Sequence, residues 1–184
     1  MAGTKHNRRT LYTKAAIKEA FLTLLSAKTL SKITVTEICK RADINRGTFY
    51  QYYTDPYALY HELEDEIIAE LKPILRKTTS TEIEQWLHSF INILLQQKVM
   101  MQHILADYPN SRVIQVIFDQ VHDFAITQFS ERFKETDQRL LEYYFTYFVS
   151  GTIGTLLQWL SDGKQTTTAE ITRVLAALFE MTPH

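Results

Sequence analysis

Three consecutive residues, Arg46, Gly47 and Thr48, carry the sharpest chemical signal in this chain of 184 residues. A long cationic fork, a bare stretch of backbone and a hydroxyl follow directly on Asn45, a residue type that caps helix starts well. At a helix N-terminus, free backbone N–H groups and the helix dipole favour anions, while such side chains supply directed donors to base edges. Asn45, Arg46, Gly47 and Thr48 are therefore candidates for contact with nucleic acid, with Arg46 and Thr48 reading bases. Lys32, Thr36, Tyr50 and Tyr53 are placed to hold phosphates. Other reactive types are scattered. His61 and Asp65 stand four apart on one helix face, and Asp119, His122 and Asp123 gather on another. A metal needs three or four converging ligands, so solvated surface polarity is the simpler reading of both. His88 and His103 lie within apolar helices, where core or pocket histidines are commoner than ligands. No glycine-rich phosphate loop, nucleophile elbow or zinc-protease motif occurs, and no enzyme activity, cofactor or metal is expected.

The elements that must position these residues are short. Thr34 with Glu37 three residues later is a capping box, opening a helix whose apolar side is Val35, Ile38, Cys39 and Ala42. Lys40 and Arg41 face outward. Asp43-Ile44 makes a turn, with Asp able to adopt the left-handed conformation, and Asn45 starts a second helix through RGTFYQYY. Before this pair, a helix from about Leu11 to Ala27 carries Ile17, Ala20, Phe21, Leu24 and Leu25 on one stripe. Phe49 should join that stripe in a small three-helix core. Residues 1–9 have no periodicity; Lys5, Arg8 and Arg9 make them either a frayed end or a basic arm for a phosphate or the minor groove. Thr29 to Lys32 is a polar connection. Asp55-Pro56 starts a helix through Leu59, Leu63, Ile67, Leu71 and Leu75, which Pro73 should kink or end.

The segment Ile33 to Tyr53 resembles the helix-turn-helix of the tetracycline-repressor (TetR) family of bacterial transcription regulators. The likeness rests on T-x-x-E-I-x-x-x-A at Thr34 to Ala42 and on R-G-T-F-Y at Arg46 to Tyr50, and continues through Tyr53 to Leu59. It covers the first third of the chain. The family often carries a phosphate-contacting lysine where this chain has Pro56. The resemblance implies a linking helix after Tyr53 that transmits ligand binding to the DNA-reading head. It also implies a homodimer through the last two helices, and a small, often hydrophobic effector held between body helices.

Charge supports a division of labour. Residues 1–53 hold ten Lys and Arg against three Asp and Glu, and residues 54–184 hold ten against eighteen. A basic head on an acidic body suggests that the head alone meets a polyanion. One cysteine excludes a disulfide framework and a Cys-based zinc cluster, and Cys39 belongs to a helix core. No apolar run approaches membrane-spanning length and the start is not signal-like, so a cytoplasmic location is expected.

Beyond Pro73 every pattern is helical. Thr81 with Glu84 caps a helix holding Trp86, Leu87, Phe90, Ile91, Leu94 and Leu95. Val99 to Ala106 is short and ends at Tyr108-Pro109-Asn110. Ser111 to about Phe133 is long and amphipathic, and Asp137 to Leu160 is rich in aromatics and contains Gly151 and Gly154. Thr167 with Glu170 caps a last helix holding Ile171, Val174, Leu175, Leu178 and Phe179. The two glycines, flanked by Phe148, Ile153, Leu157 and Leu160, suit close helix pairing across a two-fold axis. The body's many aromatics suggest a pocket, for which Trp86, Phe90, His122, Tyr143 and Tyr147 are the candidates.

The expectation is an all-α chain of about nine helices. A helix-turn-helix domain over 1–54 precedes a helical effector-binding and dimerisation domain over 55–184. The function expected is that of a sequence-specific regulator, a repressor that a small hydrophobic or aromatic ligand releases from a palindromic operator by shifting the spacing of its two heads. The alternatives are the same fold controlled by a partner protein or by nothing, and, remotely, a helical enzyme.

Overall fold

The computed structural model describes residues 3–75, 83–162 and 166–180, with side chains described over 8–75, 87–162 and 166–178. Among the described residues lie nine α-helices and no strand: α1 (Gly3–Leu25), α2 (Val35–Ala42), α3 (Arg46–Tyr50), α4 (Pro56–Leu75), α5 (Ile83–Gln96), α6 (Lys98–Ala106), α7 (Arg112–Phe133), α8 (Gln138–Ser161) and α9 (Thr168–Glu180). The chain divides into two compact units, Met1–Asp65 and Glu66–His184, whose boundary falls inside α4.

In the first unit, α1 packs on α2 and α2 on α3. Ile17, Phe21, Leu25, Ile38, Phe49 and Leu59 are fully buried there, the three-helix core that the apolar spacing requires. Three local expectations are revised. Helix α1 begins at Gly3 rather than Leu11. No proline interrupts KHNRRT, and Lys and Arg favour helix, so the helix takes in the basic stretch. Helix α3 stops at Tyr50 rather than Tyr53, because Asp55 must cap the next helix: the Ala58 N–H donates to Asp55 Oδ1 at 2.8 Å. Pro73 does not end α4, which runs on to Leu75. Leu59, Leu63, Ile67, Leu71 and Leu75 are buried, as their spacing predicts.

In the second unit α5 packs on α9, and α6, α7 and α8 pack on one another. Its core is Leu87, Ile91, Leu94, Met101, Ile104, Val113, Leu156 and Leu175, with Trp159 anchored by an Nε1–H donated to the Thr166 carbonyl at 2.9 Å. Phe129, Leu141 and Phe145 form a second cluster farther along α7 and α8, joined by Phe118, Val121, Ile126 and Phe148. The caps fall where the residue types put them. Ser111 caps α7, Asp137 caps α8, and Thr167 and Glu170 cap α9 reciprocally. The box expected from Thr81 lies outside the described residues, as do the side chains of Trp86 and Phe179. His88 is exposed and lies 3.2 Å from Asn92, so it is not a core histidine.

Candidate nucleic-acid interface

Helices α2 and α3 are set by three local devices. At the start of α2 the Glu37 N–H donates to Thr34 Oγ1 at 3.3 Å, and the Thr34 N–H donates back to Glu37 Oε2 at 3.0 Å. Lys28 adds an ion pair to Glu37 at 2.6 Å. That lysine, with the hydroxyl and backbone N–H of Thr34, holds the Glu37 carboxyl down at about 2. At the turn Asp43 adopts φ 53° and ψ 49°, the left-handed conformation, and the Ile44 N–H closes onto the Cys39 carbonyl. At the start of α3 the Asn45 side chain accepts from the Thr48 N–H at 2.7 Å and from the Thr48 hydroxyl at 3.1 Å. A Cβ on Gly47 would stand 3.2 Å from that same Asn45 oxygen, so the glycine keeps the cap uncrowded as well as baring the backbone.

These devices present Asn45, Arg46, Gly47 and Tyr50 at the surface, with Thr48 half-buried. Tyr50 is 55% exposed while Phe49 beside it is fully buried, so the helix turns one ring inward and the next outward. Lys32 is exposed at the end of a 3-10 turn, Leu30–Lys32. Thr36 is exposed, and its Oγ1 accepts a hydrogen bond from Arg46 Nη2, which joins these two candidate side chains.

Tyr53 is corrected. It is only 3% exposed, its ring lies 5.7 Å from that of Phe49, and its hydroxyl donates to Glu62 Oε1 at 3.0 Å. A buried phenol already bonded to a carboxylate cannot hold a phosphate. Glu62 also pairs with Lys14 through Oε2 and with Lys18 through Oε1, each at 3.0 Å, and the Lys14 ammonium lies 5.4 Å from the centre of the Tyr53 ring. Partial burial pushes the Glu62 carboxyl up, but the bonds from Lys14, Lys18 and Tyr53 outweigh it and hold the group below its ordinary value. This carboxylate ties α1, the segment that follows α3 and the first half of α4 together. Sequence reasoning missed it, since the partners Lys14 and Glu62 stand 48 residues apart.

In the second unit the four pocket candidates whose side chains are described, Phe90, His122, Tyr143 and Tyr147, are not gathered. Phe90 is buried in α5. His122 is half-buried between α7 and α8, with Nε2 3.1 Å from Glu142 and its ring 4.9 Å from that of Phe145. Tyr143 and Tyr147 are 74% and 83% exposed, and rings so open line no cavity within one chain. They stand on an outward stripe of α8 with Leu140, Gly151 and Gly154. A Cβ on either glycine would meet nothing within 4 Å, so packing within the described chain does not require them. His61 Nδ1 lies 2.9 Å from Glu64, and among the described residues no group of three or more His, Cys, Asp or Glu could hold a metal ion. No described helix is long and apolar enough to cross a membrane.

The comparisons agree with this arrangement. A TetR-family profile described as a transcriptional regulator C-terminal region matches residues 81–181, more than half of the chain. The chain is 27% identical over 167 residues to YxbF of Bacillus subtilis, an uncharacterized HTH-type transcriptional regulator. That match takes in 86% of this chain but 42% of the relative, so the chain spans less than half the relative's length. Its fold is similar to that of a TetR transcriptional regulator from Streptococcus agalactiae, with TM-score 0.64 and 22% identity over 94% of this chain and 96% of the other. It is also similar to that of a TerR/AcrR-family regulator from Aquifex aeolicus, with TM-score 0.62 and 19% identity over 91% and 98%.

Proposed function

Because the chain belongs to the TetR family of transcriptional regulators, we propose that it binds a palindromic DNA operator as a homodimer and represses transcription there. The observation that carries this reading is the start of α3, where Arg46 and Gly47 are exposed beside a half-buried Thr48 on a capped helix pair in the basic part of the chain. Arg46 reads a base edge in the major groove, Thr48 assists, and Lys32, Tyr50 and the bared backbone at Gly47 hold phosphates. Tyr53 is left out of the contact set. The test is selection of duplexes from a randomised library by the purified full-length protein, followed by binding at several salt concentrations. Enrichment of a palindrome, with affinity falling steeply as salt rises, is expected. Arg46→Ala should cost about 1–3 kcal/mol at one base position. An equal loss on random DNA would sink its assignment.

The second copy docks on the outward stripe of α8. Leu140, Tyr147 and Gly154 recur at seven residues, as do Tyr143, Ser150 and Leu157. The stripe is bulky toward its start and small in its second half, so an antiparallel partner lays its tyrosines over the first chain's glycines, a self-complementary two-fold match. On α9, Val174 and Leu178 are also exposed apolar residues that a second copy could cover.

A small hydrophobic effector bound within the body is the form of control the family resemblance implies. The exposure of Tyr143 and Tyr147 favours a second reading, in which these rings serve dimerisation and the body answers to a partner protein or to nothing. Thermal-shift screening against hydrophobic metabolites separates the two: a stabilising compound supports the effector, and none supports the second reading.

A further inference from the structure

We infer that Thr36 is a positioning residue for base readout: its hydroxyl holds the Arg46 guanidinium along α2, so that Arg46 meets the base already oriented. This rests on the proposed reading of DNA by α3. The hydrogen bond from Arg46 Nη2 to Thr36 Oγ1 joins residues ten apart across the turn at Asp43, so it couples the first turn of α2 to the first residue of α3. Both side chains are exposed, and folding gains little from such a contact. Nor does Thr36 serve as a cap, since Thr34 and Glu37 already fill that role at α2.

The choice of partner matters. An acidic residue would hold Arg46 more tightly but would neutralise the charge that nucleic acid must meet. Glu37, the acid one residue away, is engaged instead by Lys28 and Thr34. A neutral hydroxyl fixes direction and leaves the charge whole. The guanidinium has five N–H donors, and one bond to Thr36 leaves enough for the two-pronged contact with guanine O6 and N7. The Arg46 charge also reaches Cys39, where it works against the upward push of burial on the thiol, as expected for a guanidinium lying along α2. A long side chain held in place before binding loses less rotamer freedom on the DNA.

The experiment uses the full-length protein and a duplex that it selects from a randomised library. Wild type, Thr36→Val, Thr36→Ser, Arg46→Ala and Thr36→Val/Arg46→Ala are titrated by fluorescence anisotropy. Titrations use the selected duplex, a set of single-base-pair substitutions, and a series of salt concentrations. Thr36→Val should lose affinity about three- to tenfold, with the loss concentrated at the base pair to which Arg46→Ala has become indifferent. Thr36→Ser should restore wild-type binding. In the Arg46→Ala background Thr36→Val should add nothing, and the salt slope and melting temperature should stay at wild-type values. Three results would each overturn the inference while leaving DNA reading intact. These are wild-type binding by Thr36→Val, a loss uniform across the duplexes with a shallower salt slope, and a loss that persists without Arg46. A wild-type protein that enriches no sequence would remove the reading of DNA, and this inference with it.

Discussion

Replacing Glu62 by Gln tests whether a single carboxylate holds the first unit together. Glutamine keeps the volume and can still accept from Tyr53, so the change removes charge and little else. Both lysine pairs are partly buried, with side-chain exposures between 21% and 32%, which places each at about 0.5–1 kcal/mol rather than the several of a fully buried pair. The Tyr53 bond falls from charge-assisted to neutral, a further loss of about 0.5 kcal/mol. The sum is about 2 kcal/mol, or on the order of a 30-fold rise in local opening. Amide hydrogen exchange followed by mass spectrometry should show that rise in the second half of α1 and in the segment from Phe49 to Glu62, with α5 to α9 unchanged. The acid behaviour supplies a second check. The folded carboxyl lies below its ordinary value, so its contribution is whole above that value and fades as pH falls through the folded one. The gap between wild type and variant should therefore close in acid. Equal exchange at neutral pH, or a gap that survives acidification, would refute the assignment.

Other changes probe the caps, the α8 stripe and the α7–α8 contact. Thr34→Ala should lower the melting temperature by the equivalent of about 1 kcal/mol, read by circular dichroism, because the N-cap hydroxyl is lost. Gly154→Ala should stabilise a lone chain by up to about 1 kcal/mol, the helix-propensity gain, since its Cβ meets open space. If α8 is the dimer surface, the same change should weaken self-association in sedimentation velocity, and Gly154→Arg should abolish it; unchanged dimers for both would exclude the stripe. Glu142→Gln should weaken the α7–α8 contact by about 0.5–1 kcal/mol at pH 6 and leave it unaltered at pH 9. The bond to Glu142, opposed by burial and assisted by Asp123, raises His122, so its stabilisation is present below the ordinary histidine value and lost as pH climbs through the raised one. Melting temperatures at the two pH values would show this.

Much of the fold was legible because its signals are local. Thr34 and Glu37 form the capping box, Asp43 takes the left-handed turn and Asn45 caps α3, each acting over three residues or fewer and answering to residue type alone. The buried row from Leu59 to Leu75 follows from spacing in the same way. Boundaries were less legible. The start of α1 carries no apolar rhythm, so its helix is invisible to periodicity, and the end of α3 is decided by the cap that follows it.

The candidate site divides along the same line. Sequence placed Arg46, Gly47 and Thr48 at a capped helix start, since capping and dipole are properties of a few neighbouring residues. It could not tell that Tyr50 faces solvent while Tyr53 is buried against Glu62, because an aromatic suits either side of a short helix. It could not tell that Thr36 accepts a hydrogen bond from Arg46, nor that Tyr143 and Tyr147 face outward from α8. Those outcomes depend on which helix lies opposite, at sequence separations of nine residues or more. Residue type determined what each side chain could do, and only packing decided which partner it met.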